Sequence, residues 1–276
     1  MPGLLVATDL SERADRAVER AFLVAAEIGA EVTILTAVDD SLPESVRREA
    51  AERARDRLSS HIASLAVSQG VPRQVRVESG EPHRVIPRVA AEIDPDLIVL
   101  GMHRVRGLLD LFGGSTVERV TRGGVWPVLL VRDHPDRAYA RALIGVDFSD
   151  AAGRAVRLVR RLMPKAERRF FHAYTVPFKG LMAAGVGEVD QAAGAEAQRH
   201  AEATRHMAAF MAETGETGEP IVAEGSFVAT LEKAMETIHP DLIAIGGHEG
   251  YGIIRAILGS AVDDLMIDPP CDLLVA

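Results

Sequence analysis

Two glycine-rich segments of this chain carry residue types that bind an anion. One covers residues 101–116 and ends in Gly114-Ser115-Thr116; the other covers residues 246–261 and contains Gly259-Ser260. Glycine lets the backbone approach a ligand closely, and a Gly-Ser pair that opens a helix offers free N–H groups, a hydroxyl and the positive end of the helix dipole. Both segments therefore predict a site for a phosphate group.

A second pair of polar residues follows two short apolar runs. Asp9 ends the run that begins at Leu5, and Asp147 ends the run that begins at Leu143; each stands two residues before a serine. An acid at the start of a helix stabilises the helix dipole. The same position at the end of a strand forms a pocket wall, and both interpretations can hold together.

These motifs occur twice because the chain is a duplication. Asp147 follows Asp9 by 138 positions, whereas Gly246 follows Gly101 by 145, so a small insertion separates the first and third strands of the second copy. The polar stretch 132–137 contains a proline and lies between the copies, as a linker would. We predict two domains, over residues 1–134 and 139–276, that pack closely.

Within each copy, short β-branched runs alternate with longer segments of helical period, which is typical of a parallel α/β sheet. In the first copy we expect a helix after Ser11 as N-cap. The other expected elements are strands near 3–8, 31–37, 73–78, 96–100 and 127–131, and helices over 44–69, 82–93 and 115–122. Open α/β sheets bind ligands beyond the carboxyl ends of their strands, where the winding reverses. The loops after strands one and four are therefore the predicted site.

Composition excludes several classes of function. The chain has 276 residues, 47% of them hydrophobic, and a net charge of −9. That charge repels nucleic acid and anionic membranes, and no stretch reaches the roughly 18 apolar residues that a membrane helix needs. The N-terminus resembles no secretory signal. Cys271 is the only cysteine and is expected to be a buried thiol. We expect a soluble, cytoplasmic protein with no nucleic-acid or membrane partner.

The order of these motifs resembles the universal stress protein family, twice and over essentially the whole chain. Its ATP-binding members carry Gly, two residues, Gly, nine residues, Gly, then Ser or Thr. The resemblance rests on the acids that end strand one, the Pro-Asp before strand four, the loop histidines His103 and His248, the Gly-Ser pairs, and the closing run 127–131.

The resemblance implies a Rossmann-like fold in each copy: a five-stranded parallel sheet of order 3-2-1-4-5 with helices on both faces. The two copies would pair through their fifth strands, and a further homodimer is left open. It also implies an adenine nucleotide such as ATP, with or without Mg²⁺. The site residues carried over by position are Ala7, Thr8, Asp9, Ala37, Gly101, Arg104, Gly114, Ser115 and Thr116 in the first copy, and Asp147, Ala173, Gly246, Gly259 and Ser260 in the second.

Both copies depart from the family motif at its second glycine. Arg104 stands there in the first copy, and a guanidinium is a good phosphate partner. Glu249 stands there in the second, and its carboxylate repels a polyphosphate. We therefore expect ATP in the first copy and a degenerate or differently liganded pocket in the second.

Two other functions remain open. The chain could be a nucleotide-independent scaffold that binds partners, or an enzyme of the wider nucleotide-binding superfamily. The enzyme interpretation lacks its signature turns, since Asp9-Leu10-Ser11 follows strand one, so we expect a non-enzyme in which slow ATP hydrolysis is undecided. His200 and His206, six apart on a predicted helix, are expected to be solvated, and residues 178–193 to form a loop.

Overall fold

The computed structural model describes residues 2–102, 116–122, 125–176, 189–247, 265 and 268–276. Ten strands lie in these ranges: β1 Gly3–Ala7, β2 Glu31–Val38, β3 Arg73–Ser79, β4 Leu97–Gly101, β5 Val128–Val131, β6 Arg141–Gly145, β7 Glu167–Tyr174, β8 Ile221–Glu224, β9 Leu242–Ile245 and β10 Asp272–Val275. Seven α-helices lie between them: α1 Glu12–Ile28, α2 Glu44–Ser64, α3 Pro82–Ile93, α4 Thr116–Arg122, α5 Asp150–Leu162, α6 Val189–Thr214 and α7 Phe227–Ile238.

All ten strands belong to one continuous sheet. The first half lies in the order β3-β2-β1-β4-β5 and the second, read inwards from the opposite edge, in the order β8-β7-β6-β9-β10. The predicted order therefore applies to each half, whose strands are parallel. The halves do not form separate sheets, because β5 pairs antiparallel with β10, which makes the whole sheet mixed. The expected contact between the fifth strands is confirmed.

The helices cover both faces of this sheet and bury two hydrophobic cores. Helices α1, α2, α5 and α6 pack on one face, where Phe22, Leu58 and Met207 belong to one buried cluster. Helices α3, α4 and α7 pack on the other face with Val89, Val120 and Leu231. Among the described residues, no helix is long and apolar enough to cross a membrane.

Serine side chains begin the helices that follow β1, β6 and β8. The hydroxyl of Ser11 accepts from the N–H of Ala14 at 3.3 Å, and Ser149 caps α5 in the same way. Ser226 is the third such cap, at α7. An N-cap hydroxyl satisfies one of the free N–H groups of the first helical turn. The expected cap at Ser11 is confirmed.

Two expected element bounds are wrong. The helix over 44–69 ends at Ser64, because Leu65 adopts an extended conformation and the Ser68 hydroxyl donates to the carbonyl of Ile62 at 2.8 Å, which satisfies the helix end. The loop over 178–193 is also too long, since α6 already begins at Val189. Residues 177–188 lie outside the described ranges.

A buried acid of the second half holds the segment between the two halves. Asp272, at the start of β10, accepts from the backbone N–H of Arg132 at 2.8 Å and from the Tyr139 hydroxyl at 2.5 Å. Nε of Arg20, on α1, lies 3.2 Å from the same carboxylate, and its guanidinium lies over the Tyr139 ring. Burial raises the pKa of Asp272, and Arg20 and Tyr139 oppose that rise. The predicted close packing of the halves therefore includes a buried ion pair between them.

The Pro-Asp motif before strand four has a structural role at the other end of the sheet. Asp96 accepts from the N–H of Gly3 at 2.9 Å, and Asp241 accepts from Ala140 and Arg141 at 2.8 and 2.9 Å. Each carboxylate therefore ties the start of strand four to the start of strand one of the same half. This end lies opposite the predicted ligand site.

Candidate functional site

The strands of the first half separate where the site was predicted. β1 pairs with β4 as far as Ala7 and Leu100. Beyond that pair, the N–H of Thr8 bonds to Leu35 of β2 at 2.9 Å, and the N–H of Met102 bonds to Val131 of β5 at 2.9 Å. The backbone segments that follow β1 and β4 thus turn away from each other. This separation opens a crevice at the carboxyl edge of the sheet, where α/β folds bind ligands.

A tight turn places Asp9 on one side of this crevice. Thr8 is buried and its hydroxyl accepts from the N–H of Leu10, whose φ of 65° is left-handed. The Asp9 carboxylate is exposed and accepts from the N–H of Ser11 at 3.0 Å. Arg57 of α2 donates to the carbonyl of Leu10 at 2.7 Å and holds the turn from outside. Asp9 therefore orders the start of α1 at one side of the crevice.

The small residues of the predicted site lie at the same edge. Ala7 and Ala37 are half-buried and pack against the core that α3 and α4 cover. Gly101 ends β4, the strand next to β1, and α4 begins at Thr116. Ala7, Thr8, Asp9, Ala37 and Gly101 thus come from three neighbouring strands at one sheet edge. Arg104, Gly114, Ser115, Gly259 and Ser260 lie outside the described residues, together with His103, His248 and Glu249.

The second half repeats the crevice. β6 and β9 pair as far as Ile144 and Ala244, one residue earlier than in the first half. The N–H of Val146 then bonds to Phe171 of β7 at 2.9 Å. Exposed Asp147 follows, and its Oδ1 accepts from the N–H of Ser149 at 3.0 Å. The backbone of this site therefore matches that of the first half.

Gly246 has a packing role that explains its type without a ligand. A Cβ built on it would lie 2.5 Å from backbone atoms of Ala151 and Ala152, in the first turn of α5. Arg154, one turn further, donates to the carbonyl of Gly247 at 3.0 Å. Helix α5 therefore lies directly against the end of β9, and only glycine fits at position 246.

A family model, that of the universal stress protein family, matches this chain twice, over residues 3–132 and 138–276. The chain belongs to the universal stress protein family. A universal stress protein from Thermus aquaticus is 34% identical over 133 residues, which cover 47% of this chain and 97% of the relative. Each such relative therefore corresponds to about half of this tandem universal stress protein.

A solved structure shows the same fold over nearly the whole chain. A universal stress protein from Archaeoglobus fulgidus matches with a TM-score of 0.72 at 19% identity, covering 99% of this chain and 97% of that one. A universal stress protein in complex with cAMP matches with a TM-score of 0.38 at 22% identity, over 49% of this chain and 98% of that one. The second likeness is too low to transfer the ligand to this universal stress protein.

The two halves of this universal stress protein differ in the side chains at the end of the first strand and at the paired position of the second strand. In the first half Ala7 lies beside Leu35. In the second half the matching pair is Gly145 and Phe171, and a Cβ on Gly145 would lie 3.2 Å from the Phe171 ring. That ring is fully buried and packs against Phe227 of α7 at 5.2 Å between centroids. A large ring thus compensates for a missing methyl group, and the second half is aromatic where the first is aliphatic.

A second aromatic cluster was missed by sequence reasoning. Phe148 takes the place of Leu10, and its ring centroid lies 4.3 Å from that of His172 on β7 and 5.7 Å from that of His206 on α6. His200, on the same helix, lies 3.3 Å from the Tyr174 hydroxyl. His200 and His206 are exposed, as expected, but each also contacts an aromatic ring. The sequence signal for this cluster was His172, which stands in the second half where the first half has Thr36.

Two other observations concern chemistry at the described residues. Over those ranges, no group of three or more His, Cys, Asp or Glu side chains is arranged to hold a metal ion. Cys271 is buried, as expected, and burial raises the pKa of its thiol well above the usual value. A buried neutral thiol is a poor nucleophile.

Proposed function

We propose that the first half of this universal stress protein binds an adenine nucleotide, of the ATP or AMP type, and that the chain acts as a stress-response regulator through this binding and not through catalysis. The nucleoside would lie against Ala7, Asp9 and Ala37. The phosphates would extend towards Gly101 and the glycine-rich loop that leads to Thr116.

The observation that carries this proposal is the separation of β1 and β4 beside an exposed carboxylate. Thr8 bonds to β2 and Met102 bonds to β5, so the backbone opens between them at the reversal of the sheet. The small side chains of Ala7 and Ala37 leave room for a flat ring, and Asp9 offers an acceptor to hydroxyl or amino groups. Such a pocket of apolar walls with few polar groups is the usual form of a small-molecule site.

We propose further that one nucleotide binds per chain. The second half has the same turn at Asp147, but Glu249 replaces the family glycine in its loop. A carboxylate near a polyphosphate costs roughly one to a few kcal/mol at short range. Affinity falls by about tenfold for each 1.4 kcal/mol of such a cost.

Native mass spectrometry of protein purified without added nucleotide, followed by calorimetric titration with ATP, tests both proposals. The expected result is one bound adenine nucleotide per chain, with or without Mg²⁺ in the buffer. Two sites of similar affinity would contradict the single-site proposal. No bound mass and no heat at millimolar ATP would contradict nucleotide binding and favour a scaffold that acts through partner proteins.

A further inference from the structure

The turn that carries the first acid of each half is held in two different ways. In the first half Arg57 of α2 donates to the carbonyl of Leu10 at 2.7 Å. In the second half Glu202 stands at the position that corresponds to Arg57, because both lie thirteen residues before the glycine after the helix, Gly70 or Gly215. No guanidinium at that position can hold the second turn.

An aromatic contact takes the place of the arginine. Phe148 has a φ of 63°, the same left-handed conformation as Leu10. Its ring packs between His172 of β7 and His206 of α6, with Phe210 of α6 at 6.3 Å between centroids. The turn at Asp147 is thus fastened to a strand and a helix through one ring and two imidazoles.

His172 is fixed within this cluster. One ring nitrogen, Nδ1, lies 2.7 Å from the carbonyl of Val146 and donates to it. The residue paired with it on β8 is the apolar Val222, and Glu224 lies two residues further along the same strand. The charged or titratable groups near it are Asp147, from the turn, and His206, from α6.

We propose that Phe148 and His172 form a pH-responsive contact, which holds the Asp147 turn against β7 and α6 when the His172 imidazole is neutral and loosens when His172 is protonated at mildly acidic pH. An arginine stays charged throughout this range, so the turn at Asp9 is expected not to respond. The contact at the Asp147 turn would therefore respond to pH, whereas the contact between Arg57 and Leu10 would not. This proposal does not depend on nucleotide binding.

The surroundings of His172 favour its neutral form. Burial lowers the pKa of His172 below its ordinary 6.5; the Val146 carbonyl and Asp147 act in the opposite direction, and His206 lowers it further. A histidine with a lowered folded pKa contributes stability that is fully present above the unfolded pKa and is lost as the pH falls through 6.5. At one pH unit below 6.5, protonation of His172 changes the opening equilibrium by at most about tenfold.

Amide hydrogen exchange, followed by mass spectrometry from pH 7.5 to 5.5 without nucleotide, tests the proposal. After correction for intrinsic exchange rates, we expect protection of residues 149–152 and 203–210 to fall by several-fold. In the His61→Gln variant, which removes the imidazole 3.7 Å from Asp15 in the first turn of α1, protection of residues 11–14 should stay constant and serves as the internal control. An equal change in both turns, or none in either, would overturn the proposal.

Matched variants separate this contact from general acid sensitivity. His172→Gln should reduce the pH dependence of protection in the second half. His61→Gln changes the counterpart of His206 in α2, nine residues before Gly70, and should leave it unchanged. Histidine ring signals in NMR spectra of the wild type give an independent measure, and a pKa for His172 at or above 6.5 would contradict the proposal even if the variants fail to fold.

Discussion

Leu129 and Leu274 lie directly opposite each other where β5 meets β10, and they are equivalent residues of the two halves. They differ by 145 positions, as do Gly101 and Gly246. The flanking pairs, Leu130 with Leu273 and Val128 with Val275, exchange equivalent positions about this centre. A twofold axis that relates the halves therefore passes between Leu129 and Leu274, as in an isologous dimer interface.

Truncating this central pair should destabilise the chain in a coupled way. Both side chains are fully buried in one core cluster, so Leu129→Ala or Leu274→Ala should each cost about 2–5 kcal/mol in the free energy of unfolding. Because the two side chains face each other on one side of the sheet, the double variant should depart from additivity by roughly 0.5 kcal/mol or more. Urea unfolding of all four proteins measures the coupling, and strict additivity would argue against a shared contact.

Asp272→Asn should destabilise the junction of the halves. The variant leaves the buried guanidinium of Arg20 without its anion, and removing one partner of a buried pair typically costs about 3–5 kcal/mol. Asp268→Asn is the matched control, because Asp268 pairs with Arg132 but its side chain is 77% exposed. The control should change the free energy of unfolding by less than about 1 kcal/mol. Equal urea midpoints for the two variants would contradict the proposed role of Asp272.

Gly246→Ala should also destabilise the chain, because its Cβ would overlap the backbone of α5. Overpacking of this kind costs about 1–3 kcal/mol. Gly194→Ala serves as a control, since Gly194 lies within α6 and a Cβ there meets nothing within 4 Å. That substitution should stabilise the helix by roughly 0.5–1 kcal/mol. Thermal unfolding should therefore shift in opposite directions for the two variants.

Much of the fold could be predicted because local signals agree with the tertiary structure. Ser11 caps α1 as expected, and the helix over Pro82–Ile93 begins and ends at the expected residues. The end of α2 could not be predicted in this way. Apolar residues continue past Ser64 without a glycine or proline, and the stop depends on the Ser68 hydroxyl, which folds back onto Ile62.

The location of the candidate site could be predicted where a single residue type marks a strand end. An acid after an apolar run placed Asp9 and Asp147 at the carboxyl edge of the sheet. The cluster around Phe148 depends on contacts between residues far apart in the chain, from β7 and α6, which no local pattern reports. The role of Gly246 was predicted as ligand contact, yet its close approach to α5 is enough to require glycine.

The central claim is that the first half binds the nucleotide, and a comparison of Asp9→Ala with Asp147→Ala tests it most directly. Each variant removes an exposed carboxylate that accepts from the N–H of a serine two residues later at 3.0 Å; Asp147 also accepts from the Ser149 hydroxyl at 2.5 Å, so the unfolding of both variants is measured beside their binding. In calorimetric titrations with ATP, Asp9→Ala should lose affinity by tenfold or more, as expected for a lost charged hydrogen bond of about 1.5–3 kcal/mol. Asp147→Ala should bind as the wild type does. Equal affinities for both variants and the wild type, or a loss confined to Asp147→Ala, would contradict the assignment of the site to the first half.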